Sequence, residues 1–367
     1  LGLVVSLLDY RVLYSDGIPI GGDVLSSLLP ALYFRAAVQS GGNALITPMY
    51  GGMDIYMNSF FKGFYPAWTP LFIPGVPLGP YIKFLIISHA ILAGVISYWY
   101  ASKRFSTPIS AILTFISVAP LAFPTGHISR VIVWPWMLLA MWQLLEFRAK
   151  APSDRAAVLI GISGGLTLLT GNSYYAFYLA ALAGVIFISK RSLRGATIAG
   201  ATSLLTSSPK ILSLMLILLE GGRRATVGYP LTIKKLITGL TGLWPSASGI
   251  SVGTASYNAY GVFGPGIFLF AGVAVLWAYV RPSKFDSSWM TGLGFAGLLG
   301  LMLGTRSPLL MQLPLVGQLR TASRSLVLIA LVVLLLAVVF LEKIDLSQSR
   351  IRAGVVSLLI VSATVAG

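Results

Sequence analysis

Seven residues carry the chemistry open to this chain: Asp23 and Asp54 near its start, His127, the pair Arg223 and Arg224, and then Arg320 and Arg324. A carboxylate held partly out of water has its pKa raised by desolvation and can take a proton from a sugar or lipid hydroxyl, which is general-base chemistry. Asp23 follows Gly21-Gly22 and Asp54 follows Gly51-Gly52. Each also has a plainer reading. Asp23 can cap the helix that starts beside it, where a negative charge suits the dipole, and Asp54 can be a solvated turn carboxylate. Asp9 and Asp16 are weaker candidates. These four aspartates, out of ten acidic residues in the chain, all fall before residue 60.

The arginines supply the opposite charge. Arg320 and Arg324 stand at i and i+4, so a helix there puts both guanidinium groups on one face, able to clamp a phosphate. Headgroup snorkelling is the alternative. His127, in Gly126-His127-Ile128-Ser129-Arg130, can donate to a phosphate or orient an acceptor, or sit as a satisfied interfacial histidine. Lys83 and His89 fall in an apolar run, where Lys83 can snorkel and a neutral His89 can pair across helices.

The elements that position these groups follow from composition. With 56% hydrophobic residues, 10% charged residues and a mean hydropathy of +0.85, lipid must be the solvent for most of the chain. It reads as an integral membrane protein. Zero cysteines exclude disulfides and thiolate chemistry, and two histidines cannot build an all-histidine metal site, so any divalent metal would be held by oxygen ligands. The net charge of +16 would suit nucleic acid in a soluble protein. Here the basic residues interrupt apolar runs, so membrane lipid is the expected partner and nucleic acid is not.

Apolar runs near 80–102, 107–122, 129–147, 156–171, 173–189, 195–219, 262–280, 288–304, 324–341 and from 352 onward read as spans. With an apolar start that reads as clipped, like the end, they total about eleven. The runs at 107–122 and 156–171 are short for a crossing. The fold expected is therefore all-α: a polytopic transmembrane bundle forming one domain over 1–367. Basic residues recur at every second connection, from Lys103-Arg104 to Arg350 and Arg352, and the positive-inside trend places these in the cytoplasm. Outside are then the loops 9–79, 220–261 and 305–323, which gather the candidate site, with short turns around Pro124 to Ser129 and at Gly171-Asn172-Ser173. Val24 to Ser40 has near-helical apolar spacing and is expected to lie along the membrane surface, and Ser307 to Gln318 is too short to span. The aromatics Tyr56, Phe60, Phe61, Phe64, Tyr65 and Trp68 read first as an interfacial belt. Gly161, Gly164 and Gly165 read as close helix packing and not as a phosphate loop, which would need a lysine that is absent.

The order of these features resembles the GT-C superfamily of polytopic glycosyltransferases, especially bacterial and archaeal proteins related to lipoteichoic-acid glycosylation. The similarity is carried by Gly22-Asp23 before the Leu29-Pro30 helix, Gly51-Gly52 to Tyr65-Pro66, and Gly126-His127 before a Trp-rich span. Leu169-Thr-Gly171-Asn172 and Leu313-Pro314 leading into Arg320 to Arg324 extend it over most of the chain. The resemblance implies an enzyme of a prokaryotic cell membrane, taking a sugar from a polyprenyl-phosphate-linked donor on the outer face. Asp23 would activate the acceptor, Asp54 would assist or bind a metal, and Arg320 and Arg324 would stabilise the departing phosphate. An Asp-x-Asp pair and a Trp-Trp-Asp motif are missing, which disfavours protein N-glycosylation. The alternatives are a transporter or flippase of a lipid-linked glycan, and a non-catalytic subunit of a larger membrane complex.

Overall fold

A computed structural model describes residues 22–42, 62–118, 128–148, 153–171, 173–219, 265–280, 286–305, 325–344 and 348–366. Among them the chain is all-helical, with eleven α-helices, one short 3-10 helix and no strand. The helices are α1 (Gly22–Gln39), α2 (Leu78–Ser102), α3 (Thr107–Val118), α4 (Ile128–Glu146), α5 (Asp154–Leu169) and α6 (Ser173–Ser189), followed by α7 (Leu193–Leu219), α8 (Pro265–Val280), α9 (Ser287–Gly304), α10 (Leu326–Lys343) and α11 (Ser349–Ala366). The 3-10 turn η1 covers Thr69–Phe72 between α1 and α2. Every apolar run from residue 80 onward became a helix, and the surface segment at 24–40 became α1.

Among the described residues three helices, α2, α9 and α10, are long and apolar enough to cross a membrane. The 25 residues of α2 reach about 37 Å and the 18 of α10 about 27 Å, against a hydrocarbon core near 30 Å. The 12-residue α3 is shorter, as its sequence run indicates. Its C-terminal carbonyl at Ser117 accepts from the Trp134 indole of α4 at 2.7 Å, satisfying a backbone group the helix cannot pair itself.

At the centre lies α10, in which every residue from Leu326 to Leu341 is buried. A helix apolar all round needs neighbours all round, and α8, α9, α6 and α4 supply them. The outer faces of α2, α7, α8 and α9 expose Trp99, Leu205, Leu276 and Phe295 among other large apolar side chains, a belt suited to hydrocarbon contact.

The most extensive helix pair, α5 with α7, is parallel, and small residues make it close. Gly161 lies against Ala199 and Thr202, and Gly165 against Ser203 and Thr206. A Cβ on Gly165 would come 2.5 Å from the Thr206 Cβ, and one on Gly161 would fall on the Ala199 carbonyl. The small-xxx-small spacing therefore acts as packing, as the sequence indicated. The turn into α6 is tight because Gly171 takes a φ of +77°, which a side chain rarely tolerates.

One end of the bundle is tied by charge. Arg104, just past α2, pairs with Glu146 at the end of α4 and, at 3.0 Å, with Glu342 at the end of α10. Arg148 meets the other oxygen of Glu342 as an ion pair without hydrogen-bond alignment. Lys190 pairs with Asp286 at 2.5 Å and Arg194 with Asp154 at 2.6 Å. The Trp289 indole donates to the Leu144 carbonyl at 3.2 Å, and Phe147 packs edge-on against Phe187, so the ends of α4 and α6 and the start of α9 lie together. The described residues that flank Lys- and Arg-rich connections assigned to one side, Arg104, Arg148, Lys190, Arg194, Asp286 and Glu342, thus share one end of the molecule.

Candidate functional site

Helix direction makes the other end the place where α2, α4, α6 and α10 begin and where α5 and α9 finish. Residues 62–77 fold onto it. Tyr65 and Trp68 are only 2% and 0% exposed, so these two are core side chains and not members of an exposed aromatic belt. The reason is a hydrogen-bond chain whose direction follows for a neutral His89 ring. The His89 Nδ1 lies 2.8 Å from the Leu85 carbonyl, and a carbonyl only accepts, so Nδ1 carries the proton. Nε2 is then an acceptor, and the Tyr65 hydroxyl, 2.6 Å away, donates to it. The Tyr65 oxygen in turn accepts from the Trp136 indole at 3.0 Å. Trp136 to Tyr65 to His89 to Leu85 is a continuous sequence that a neutral His89 satisfies. Burial holds the Tyr65 phenol well above its ordinary pKa, the Trp136 donation offsetting part of the rise.

Further contacts pin the same segment. Tyr81 donates to the Ala67 carbonyl at 2.9 Å, and Thr69 to the Gly63 carbonyl at 2.8 Å. Lys62, 1% exposed, stands over the Trp68 ring at 5.3 Å, a cation–π contact. From α1, Arg35 donates through Nε to the Leu71 carbonyl at 2.6 Å and through Nη1 to the Val76 carbonyl at 2.7 Å. Phe34 packs edge-on against Phe72 with centroids 5.6 Å apart. Burial lowers the Arg35 pKa from its ordinary value.

Asp23 falls in the first turn of α1, inside the helix and not at its cap, and its side chain lies outside the described residues. Asp54, His127, Arg223, Arg224, Arg320 and Arg324 lie outside them as well. Their described neighbours are informative. Ile128, which follows His127, begins α4, and Ser325, which follows Arg324, precedes the first turn of α10. Both helices open at the end opposite the ion pairs. The contacts of Phe34 and Arg35 with residues 71–76, just before α2, bring α1 to the same end.

Among the described residues no group of three or more His, Asp or Glu side chains comes together to hold a metal. The four carboxylates with described side chains, Glu146, Asp154, Asp286 and Glu342, all belong to the ion-paired end. Arg35 and Lys62 carried no weight in the sequence reading. Their signal was basic residues set inside apolar, aromatic segments, where each needs a specific partner.

No protein-family model matches the chain, and no curated protein and no solved structure matches it.

Proposed function

We propose that this chain is a polytopic membrane glycosyltransferase of the GT-C type, working on the extracytoplasmic face with a polyprenyl-phosphate-linked sugar as donor. The observation that carries the reading is the shared bundle end. The helix containing Asp23 packs there through Phe34 and Arg35, and the helices that begin after His127 and Arg324 open there, while the described carboxylates are spent on ion pairs at the far end. With the ion-paired end in the cytoplasm, as its basic connections favour, the site faces outward.

In this reading the Asp23 carboxylate takes the acceptor hydroxyl proton as the acceptor oxygen bonds to the anomeric carbon. The bond from that carbon to the donor phosphate breaks, and its electron pair leaves on the polyprenyl phosphate. Arg320 and Arg324 stabilise that charge, with His127, Arg223 and Arg224 as further contacts to the phosphate. Asp54 assists, or holds a divalent metal through oxygen.

The test uses the full chain in lipid nanodiscs with synthetic polyprenyl-phosphate-linked mannose, glucose and galactose and a panel of sugar and lipid alcohols as acceptors, following release of polyprenyl phosphate. Asp23→Asn is expected to lower release by a hundredfold or more while the protein stays folded. Undiminished release would remove Asp23 from the mechanism. A transporter of lipid-linked glycan has one observation in its favour, the buried polar residues Ser163 and Thr167 on α5, Thr170 at its C-cap, and Ser207 and Lys210 on α7. The close α5 to α7 packing leaves little room for a path between them. Donor movement across a liposome bilayer without sugar release would favour that reading, and inertness in both assays would favour a non-catalytic subunit.

A further inference from the structure

The helix that carries Asp23 is held mainly through something other than itself. Its chief packing partners are η1 and, less extensively, α4. Leu28 and Ala31 are buried on its inner side, and Leu32, Val38 and Gln39 are exposed on its outer side. Its polar attachment is the Arg35 guanidinium, which bridges two carbonyls five residues apart in the loop, Leu71 and Val76. Only a planar fork with several fixed donors spans two acceptors in this way; a lysine ammonium is a single point. Among the described residues no carboxylate lies within ion-pair distance of Arg35. Its Nε and Nη1 are met by loop carbonyls, while its buried Nη2 has no hydrogen-bond partner among the described residues.

The loop it grips is itself fastened to the bundle. Tyr65 reaches His89 on α2 and receives Trp136 of α4, and Tyr81 of α2 grips the Ala67 carbonyl. The two fastenings form one series: α1 to the loop through Arg35, and the loop to α2 and α4 through Tyr65. Asp23 and Arg35 are about 18 Å apart along the α1 axis, and the buried Leu28, Pro30 and Ala31 lie between them.

We infer that Arg35 is a positioning residue: by locking α1 to the loop at 62–77 it sets where the first turn of α1, and with it Asp23, stands over the end of the bundle. This rests on the reading of Asp23 as the group that activates the acceptor. Arg35 itself touches no substrate in this scheme.

The absence of cysteine allows a direct test, because introduced cysteines are the sole labelling sites. Spin labels at Leu32→Cys and Val95→Cys, both exposed positions, report the distance from α1 to α2 in the full chain in nanodiscs. A control pair at Val95→Cys and Leu204→Cys reports the bundle. Arg35→Ala is expected to broaden the α1 distance distribution, leave the control pair unchanged, and lower kcat for the polyprenyl-phosphate-sugar donors by roughly a hundredfold with little change in KM. Arg35→Lys, keeping the charge and one donor, is expected to fall between. Broadened distances with undiminished kcat would overturn the inference, as would a loss of kcat with α1 unmoved, which would make Arg35 a substrate contact. Loss of the control pair together with activity would show Arg35 to be a general stability residue and would also overturn it. Absence of turnover in the unsubstituted protein would sink the glycosyltransferase reading and this inference together, whereas full turnover in Arg35→Ala sinks this inference alone.

Discussion

At one end of the bundle polar side chains meet as full charges, and at the other they meet as neutral groups or as a cation on carbonyls. Arg104, Arg148, Lys190 and Arg194 each face a carboxylate across helices. Tyr65, His89 and Trp136 form a chain with no net charge, and Arg35 rests on peptide oxygens. Charge pairing next to water, as between Arg194 and Asp154, is cheap to form and weak, whereas the pairs on the largely buried Glu342 are costly to break. A neutral chain deep in an apolar bundle avoids the desolvation of an ion while leaving no donor unsatisfied. The difference separates an end closed by ion pairs from an end whose described polar contacts are neutral or rest on peptide oxygens and aromatic rings.

Glu342→Gln breaks the comparison most severely at the charged end. Glu342 is the shared anion of Arg104 and Arg148 and its side chain is 12% exposed. Removing its charge leaves Arg148 without its carboxylate and Arg104 with Glu146 alone. A loss of about 3 kcal/mol is expected, read as a lower unfolding midpoint in detergent. Polyprenyl phosphate release at a temperature where the variant is folded should be unchanged. Full stability would mean that the staples do not hold this end together.

Tyr65→Phe tests the neutral end. It removes the hydroxyl that His89 accepts from and that the Trp136 indole donates to, leaving a buried and a half-buried group without that partner. Each unmet group costs on the order of 1 kcal/mol, so a smaller loss of roughly 2 kcal/mol is expected. Hydrogen exchange should quicken at residues 62–77 and not at the ion-paired end. Uniform exchange change over the whole chain would show that the segment is not separately fastened.

The helical plan was legible because a membrane allows few solutions: long apolar runs must become helices, and the breaks between them were marked by Lys, Arg, Pro and Gly. The α5 to α7 seam was legible for the same reason, since Gly161 and Gly165 at four-residue spacing have little else to do in lipid. The ion-paired end was legible as a charge pattern but not as pairs, because which arginine meets which carboxylate depends on helix rotation. Tyr65 and Trp68 show the limit: an aromatic cluster beside an apolar run has the same composition whether it lines an interface or plugs a bundle, and only the His89 and Trp136 partners decide it. Arg35 was hidden because its acceptors are backbone carbonyls, which no side-chain pattern announces. The acids and arginines of the proposed site were chosen by type and spacing, and of these the helices settle only which end α1, α4 and α10 present.

The smallest expected effect concerns pH at the charged end. Asp286 caps α9, its Oδ1 accepting from Ser288 at 2.6 Å and from the Trp289 amide at 2.9 Å while Oδ2 takes Lys190. Burial alone would push its carboxyl up, but those three hydrogen bonds and the attraction of Lys190 together bring it below the usual value of 3.8. A carboxyl whose folded pKa is depressed favours the folded state above the unfolded pKa, and that contribution is lost as pH falls through the lower folded value. The unfolding midpoint of the intact protein should therefore decline on acidification from pH 5 toward about pH 3. Lys190→Met removes two of the lowering causes and leaves the burial, so the Asp286 carboxyl rises and this part of the acid sensitivity moves to higher pH. An identical acid profile in the two proteins would show that Lys190 does not hold the Asp286 charge, and that the staple between α6 and α9 is no stronger than the exposed pair of Arg194 and Asp154.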